Sequence, residues 1–305
     1  MSIDVVIVNW NSGKLLFDCI ESIIEYGKPY VSKVFIVDNG SSDDSVKFLQ
    51  NLPEFNLIQA NENLGFSKAC NLGADQSESD FILFLNPDAR IYADTLGKVL
   101  AFMETEENSK VGICGVQLHN ENGDVARSSS RFPSLKGILS HSIGLSKIFP
   151  FLGSAMSEWD HLNTKTVDQV IGAFFFVRQS IFQELKGFDE QFFVYFEEVD
   201  FSFRAKQLGW NSVFFVGAQA FHVGGGVSQQ VKSKRLFYTM RSRIQYTFKH
   251  FKLIKIILIL FATIFIEPVS RIVFSIFNRS LTSIKETLIA YSMFYKWLVL
   301  SILKR

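Results

Sequence analysis

Through the first part of the chain, short uninterrupted apolar runs alternate with stretches whose apolar residues recur every three or four positions. The runs at 3–8, 34–37, 56–59, 81–85 and 111–118 predict strands, and the stretches at 15–26, 45–52, 67–76 and 95–104 predict helices. Strands that are apolar on both faces, each followed by a helix, imply an α/β fold: a mostly parallel, Rossmann-like sheet with helices on both faces. In such sheets ligands collect beyond the carboxyl ends of the strands. Polar residues stand at those ends, from Asn9 to Asn11, Asp38 to Ser42, Asn61 to Gly65 and Asn86 to Asp88.

Between 121 and 168 the periodicity weakens around Arg127, the serines at 128–130, Arg131 and Pro133, which predicts a long loop with one or two short helices. A strand at 170–177, helices at 180–185 and 198–208 and a strand at 213–216 follow. The glycines at 224–226 then close a domain expected to span 1–226. Residues 227–305 form an expected helical, basic and apolar region, with a basic helix at 232–251 and apolar runs at 256–266 and 288–303. Glu267, Pro268, Arg271, Lys285, Glu286 and Lys296 interrupt those runs, and neither apolar run reaches the roughly 18 residues of a span. Attachment to a membrane surface is therefore expected ahead of a crossing.

Composition sharpens this picture. A 48% hydrophobic share with 32 phenylalanines excludes a disordered chain. The net charge of +1 hides an asymmetry: from Lys249 onward nine basic residues face only Glu267 and Glu286, leaving about +7 there and about −6 before it. Such a tail suits an anionic lipid surface, and no nucleic acid partner is expected. Cys19, Cys70 and Cys114 are odd in number, widely spaced and in apolar or helical contexts, which reads as reduced core thiols. The first strand begins almost at once, leaving no room for a signal segment, so the expected location is cytoplasmic, peripheral on the inner face of the cytoplasmic membrane.

The candidate chemistry sits in five places. Asp38 and Asn39 can bond a base or ribose, although they also suit a turn. Asn86-Pro87-Asp88 sets an amide and a carboxylate at the mouth of the most apolar strand, where a hard divalent ion shared with phosphates finds oxygen ligands. His222 can complete such a site. Gly65 lets backbone approach a ligand. Glu197, Glu198 and Asp200 follow the aromatic stretch 192–196; burial there raises a carboxylate's pKa, as a general base requires, while Asp200 and Arg204 are spaced to pair on a helix.

In order, Val-Asn-Trp-Asn at 8–11, Val-Asp-Asn-Gly-Ser-Ser-Asp at 37–43, Asn-Leu-Gly-Phe at 63–66, Leu-Asn-Pro-Asp at 85–88, Gly-Ala-Phe at 172–174, Gly-Phe-Asp-Glu at 187–190, Phe-Glu-Glu-Val-Asp-Phe-Ser-Phe-Arg at 196–204 and His222 resemble family 2 glycosyltransferases, above all their rhamnosyltransferase-like branch. The resemblance covers about residues 3–225. It implies a GT-A fold and inversion at the anomeric carbon by single displacement. It also implies that Asn9, Asp38, Asn39, Gly65 and Asn86 lie on the nucleotide-sugar side, that Asp88 and His222 serve Mg²⁺ or Mn²⁺, and that Glu198 is the catalytic base. Glu197, Asp200, Arg204 and Gly172 are supporting residues in this scheme, and Arg127 and Arg131 are candidates to meet a lipid diphosphate. Where many members carry Asp-x-Asp, this chain has Asn86 at the first position. The implied reaction moves a sugar, with dTDP-rhamnose the first candidate donor and UDP-hexoses next, to a glycan or lipid-linked acceptor in cell-surface polysaccharide synthesis. A nucleotidyltransferase is the rival enzyme, but no glycine-rich, lysine-containing phosphate loop lies near the N-terminus. A non-catalytic sugar-binding scaffold is the rival outside catalysis.

Overall fold

The computed structural model describes residues 1–224 and 232–303. They form two compact units: Met1–Phe132, Trp159–Phe193 and the chain from Glu197 through the last strand make one, and Pro133–Glu158, Val194–Phe196 and the C-terminal helices make the other. The boundary expected at 226/227 and the glycines at 225 and 226 lie outside the described residues.

The elements, in chain order, are β1 (Ile3–Asn9), α1 (Lys14–Tyr26), β2 (Val31–Asp38), β3 (Phe55–Gln59), α2 (Phe66–Ala74), β4 (Phe81–Leu85), β5 (Ala89–Ile91), α3 (Thr95–Glu104), β6 (Val111–His119), β7 (Val125–Ala126) and β8 (Ser129–Ser130). Helices α4 (Leu135–Ser142) and α5 (Leu145–Ile148) follow, then β9 (Lys165–Val167), β10 (Gln169–Val170), β11 (Phe174–Arg178), α6 (Gln179–Glu184), α7 (Glu197–Gln207) and β12 (Asn211–His222). The last helices are α8 (Lys232–His250), α9 (Leu253–Phe261), α10 (Glu267–Phe277) and α11 (Leu281–Leu303).

In the first unit one sheet follows the order β3-β2-β1-β4-β11-β6-β12-β5, with β7 on β6 and β9 on β12. Neighbours from β3 to β4 run parallel, as do β6 and β12. Strand β11 is antiparallel to both β4 and β6, because the chain enters it at the carboxyl end of β4, where Asn86 N donates to Ala173 O at 3.1 Å. That turn splits the run expected as one strand at 170–177 into β10 and β11. The helix expected at 45–52 shrinks to a 3₁₀ turn at Lys47–Asn51, since Ser45 and Asp43 bond within their own loop. The strand expected at 213–216 runs on to His222, which therefore ends β12 instead of lying beyond it.

Strands β1 and β4 are buried at every position, which is why their sequences lack alternation. Phenylalanines fill the space between sheet and helices: Phe81 stacks on Phe176 at 4.9 Å, and Phe84, Phe182, Phe188 and Phe201 interlock with ring centroids 5.0 to 5.5 Å apart. Offset and edge-to-face rings add to the area that these side chains remove from water.

The second unit has its own small core of Ile138, Met240, Ile244, Ile259, Ala290, Tyr291 and Phe294. The segment 194–196 belongs to it: Ser242 Oγ donates to Val194 O at 2.9 Å, and the Phe196 ring lies 5.7 Å from that of Tyr246. Glu267, buried, accepts from Arg243 Nη2 at 2.5 Å and Arg271 Nε at 2.9 Å. A π-helical turn at Ala262–Ile266 joins α9 to α10, and Pro268 falls in the first turn of α10, where its missing N–H is tolerated. Residues expected to interrupt the run thus leave Leu253–Phe277 a continuous helix of 25 residues with mean hydropathy 2.2, sufficient in length and composition to cross a membrane.

Candidate active site

Three loops meet at the carboxyl ends of β1, β2 and β3. Asn9 and Asp38 stand opposite each other in the last register pair of β1 and β2. Asn9 Nδ2 lies within bonding reach of Asp38 Oδ1 (3.0 Å), Ser41 Oγ (3.0 Å) and Ser45 Oγ (2.8 Å). Asn11 adopts φ +50° and turns its side chain back to accept from Ser42 N at 2.7 Å. The next loop is tied in through Asn39, whose Oδ1 accepts from Leu64 N at 2.8 Å and whose Nδ2 donates to Gly65 O at 3.3 Å. Asn9 Oδ1 and Ser12 Oγ are buried here with no protein partner. Such acceptors and donors are costly unless a ligand or water completes them.

Gly65 is required twice over. Its φ of +85° is a left-handed conformation, and a Cβ on it would sit 2.4 Å from Phe193 O. That carbonyl accepts from Phe66 N at 2.6 Å, and Phe192 O accepts from Ser67 Oγ at 2.6 Å. The start of α2 is therefore clamped to the aromatic stretch that leads toward α7.

At the first turn of α7 the three acids differ. Glu197 is buried, and burial followed by the neighbouring Glu198 charge holds its pKa well above the usual carboxylate range. Glu198 is half-buried, and burial pushes it up to about 7 against the lowering effect of backbone N–H bonds. Both present an Oε2 with no protein partner. Cys70 on α2 feels both charges, after burial itself, as raising influences, so the two carboxylates lie beside the helix that Gly65 begins. Asp200, fully buried, instead accepts from Arg204 Nε at 2.7 Å, while Arg204 donates to Leu185 O and Gly187 O at 2.8 and 2.9 Å. That pair fastens the turn after α6 and is structural.

On the other side of the sheet's mouth, Asp88 precedes β5 and His222 ends β12, in an antiparallel ladder that pairs His222 with Ala89. His222 Nε2 lies 3.3 Å from Asp88 Oδ1, and Val223 N donates to Asp88 O at 3.1 Å. Among the described residues no three His, Cys, Asp or Glu side chains converge as a complete cage. One oxygen and one nitrogen donor, on side chains each 11% exposed, fit an ion that takes its other ligands from phosphate and water. Asn86 holds the turn through its backbone.

Gly172 lies in the turn before β11, where a Cβ would be 3.7 Å from the Phe66 ring. Ile171 N donates to Ser128 O at 2.9 Å, which brings the β7–β8 segment to that turn. Arg127, exposed, and Arg131, partly buried, flank β8. Sequence reasoning passed over Asn11, Ser41, Ser45 and Asn63 as individual contributors. Their signal was present as a density of Asn and Ser after apolar strands, but which of them turn inward depends on cross-loop pairing.

Comparison with known proteins agrees with this geometry. The model of glycosyl transferase family 2 matches residues 4–186. The chain is 27% identical over 205 residues to the N-acetylglucosaminyl-diphospho-decaprenol L-rhamnosyltransferase of Mycobacterium tuberculosis, covering 62% of this chain and 66% of that protein. It is 26% identical over 216 residues to the low-salt glycan biosynthesis hexosyltransferase Agl10 of Haloferax volcanii, covering 68% and 63%. The chain thus spans 66% or less of the length of these curated relatives. Among solved structures, the mannosyltransferase PcManGT of Pyrobaculum calidifontis, in complex with GDP-Man and Mn²⁺, aligns with TM-score 0.55 at 13% identity over 98% of this chain and 80% of that one. S. aureus TarS 1-349 aligns with TM-score 0.53 at 14% identity over 96% and 91%. The fold is that of GT-A glycosyltransferases, and the chain belongs to glycosyl transferase family 2.

Proposed function

We propose that the protein is an inverting glycosyltransferase that moves a sugar from a nucleoside-diphosphate donor, dTDP-rhamnose first, to a lipid-linked or glycan acceptor in cell-surface polysaccharide synthesis. The observation that carries this reading is Glu198: a half-buried carboxylate with an unpartnered oxygen and a pKa pushed up to about 7, beside the helix that Gly65 begins. A base with a pKa near the working pH accepts a proton readily and still ionises.

Asp38, Asn9 and Asn39 hold the nucleoside end of the donor, and the buried unpartnered Asn9 Oδ1 and Ser12 Oγ supply contacts that a ligand completes. Asp88 and His222 hold Mg²⁺ or Mn²⁺, which when bound offsets charge on the departing diphosphate. Glu198 takes the proton from the acceptor hydroxyl as that oxygen attacks the anomeric carbon; the C–O bond to the nucleoside diphosphate breaks, and its electron pair leaves with phosphate. Arg127 and Arg131, on the segment joined to the Gly172 turn, meet the acceptor's phosphates. The relative that acts on a decaprenol-linked substrate supports a lipid-linked acceptor.

The helical unit attaches the protein to the cytoplasmic face of the membrane. Its α9–α10 helix exposes Leu253, Ile254, Phe265 and Phe277, the last at 82%. Basic residues interleaved with such a face favour an interfacial position. The test is a transfer assay with purified full-length protein, Mg²⁺ or Mn²⁺, dTDP-rhamnose or UDP-hexoses, and a polyprenyl-diphosphate sugar. Rhamnosyl transfer dependent on divalent metal is expected. No transfer there, with formation of nucleotide sugar and pyrophosphate in a parallel assay supplied with NTP and sugar phosphate, would overturn it.

A further inference from the structure

We propose that α4, α5 and α10 form a docking face for an anionic phospholipid, centred on His141, Lys147 and Arg271. This deepens the membrane reading above and rests on it, but adds to the C-terminal helices a segment far from them in sequence. The segment Pro133–Glu158 belongs to the helical unit. Ser270 Oγ of α10 donates to Ser142 O of α4, and Ile138 packs in the core formed with α8, α9 and α11.

Two cations and a histidine, whose pKa burial lowers from its usual value, share one edge of this unit. Arg271 Nη2 lies 3.5 Å from His141 Nε2, and Lys147 Nζ sits 3.5 Å above the Phe274 ring, one helical turn from Arg271. Burial, followed by the Arg271 charge, holds the Lys147 pKa below its usual value. Among the described residues the acid at this edge is Glu267, 3.9 Å from His141 and already shared between Arg243 and Arg271, so two guanidiniums face a single carboxylate. From 133 to 157 the chain contains no Asp or Glu. Like charges held together in a partly desolvated place repel unless an anion is supplied from outside.

The surroundings say what kind of anion. Ile143, Ile148, Phe149, Phe151 and Phe274 are all exposed around the basic edge, Ile148 at 70% and Phe151 at 62%. A soluble anion has no use for such a rim, whereas a lipid presents a phosphate to the cations and acyl chains to the apolar side chains. Lysine over an aromatic ring is the arrangement of a side chain that keeps its head at the polar level while its stem lies on apolar surface.

The test is co-sedimentation of the full-length protein with vesicles of phosphatidylcholine alone or with phosphatidylglycerol added. Binding should rise with phosphatidylglycerol. Lys147→Glu and Phe149→Ser should each weaken it by about tenfold, on the scale of one or two surface charges at an anionic leaflet. Lys28→Glu, an equal charge change at an exposed position of the first unit, should not. Unchanged melting temperatures establish that the variants are folded. Because Cys19, Cys70 and Cys114 are buried, a polarity-sensitive dye on Phe151→Cys reports this face independently, and its emission should shift to the blue with phosphatidylglycerol vesicles. If both variants bind as the wild type does and the dye does not shift, this face is wrong while membrane attachment stands. If the wild type sediments with neither vesicle, both readings fall. If millimolar inorganic phosphate raises the melting temperature of the wild type but not of Lys147→Glu, and abolishes vesicle binding, the site serves free phosphate and the lipid assignment is overturned.

Discussion

Burial acts on Glu197 and Glu198 in the same direction but leaves them with different uses. Glu197, deeper and beside a second carboxylate, has its pKa held well above the usual carboxylate range. An amide mimics a protonated acid, so Glu197→Gln should keep turnover within about threefold, whereas Glu198→Gln should lose about 10² or more. Turnover of the wild type should climb as pH rises through about 7, where Glu198 ionises, and that limb should vanish in Glu198→Gln. The stability effect has a definite sign. A carboxyl whose folded pKa is raised stabilises the fold below its unfolded pKa, and that contribution is lost as pH rises through about 7. Glu198→Gln should therefore melt above the wild type at pH 8 and close to it at pH 5; the reverse order would remove the burial argument. Asp88→Ala should abolish metal-dependent binding of nucleoside diphosphate in calorimetry while the protein still unfolds cooperatively, since the substitution removes the His222 contact but leaves the backbone bond from Val223 N to Asp88 O in place. The positions of Asp38 at the end of one apolar strand, of Asp88 just after another and of Glu198 at a helix start were legible because each follows a recognisable apolar or aromatic run. The Asp200–Arg204 pair was legible from its i, i+4 spacing, but the deeper burial of Glu197, and the carbonyls of Leu185 and Gly187 that Arg204 also reaches, were not, since they depend on the turn after α6.

At the scale of elements, β1, β2, β4 and β6 and helices α1, α2 and α3 were readable from periodicity because those strands are buried on both faces over most of their length and those helices on one, whereas β3 is only partly buried and the helix expected at 45–52 is a 3₁₀ turn. What escaped was set by neighbours distant in sequence. Strand β5 is only three residues long and exists because β12 pairs with it, and β11 starts where Asn86 takes the Ala173 carbonyl. The same dependence makes Gly65 a sensitive point. Gly65→Ala must place a Cβ against Phe193 O in a left-handed conformation, so the Phe66 N to Phe193 O bond lengthens or breaks. A loss of about 1–3 kcal/mol is expected, seen as a lower melting temperature together with weaker donor binding. A variant that loses donor affinity with an unchanged melting temperature would mean that Gly65 meets the ligand without bracing the aromatic stretch.

At the scale of the molecule, charge asymmetry and apolar runs marked out the C-terminal helical region, but not that Pro133–Glu158 belongs to the same unit. A loop whose apolar residues pack on helices a hundred positions away carries no local period to announce them. The sequence also left undecided whether the tail lies on a bilayer, crosses it or packs on the protein, and the 25-residue helix Leu253–Phe277 makes the question sharp. Only 28% of its most apolar window is buried in the protein, so the rest must meet lipid or water. Against a crossing stands Glu267 near its middle, tied to Arg243 and Arg271: bringing that cluster through the hydrocarbon costs several kcal/mol. An interfacial helix keeps the same groups at the polar level and sinks only its apolar side. Membranes from cells making the full-length protein should therefore release it into alkaline carbonate. Partial release should begin in 0.5 M salt, where the screening length falls to a few ångströms and the attraction of the basic residues is lost while apolar insertion remains. Retention in the carbonate pellet, with release by detergent alone, would instead establish Leu253–Phe277 as a transmembrane helix.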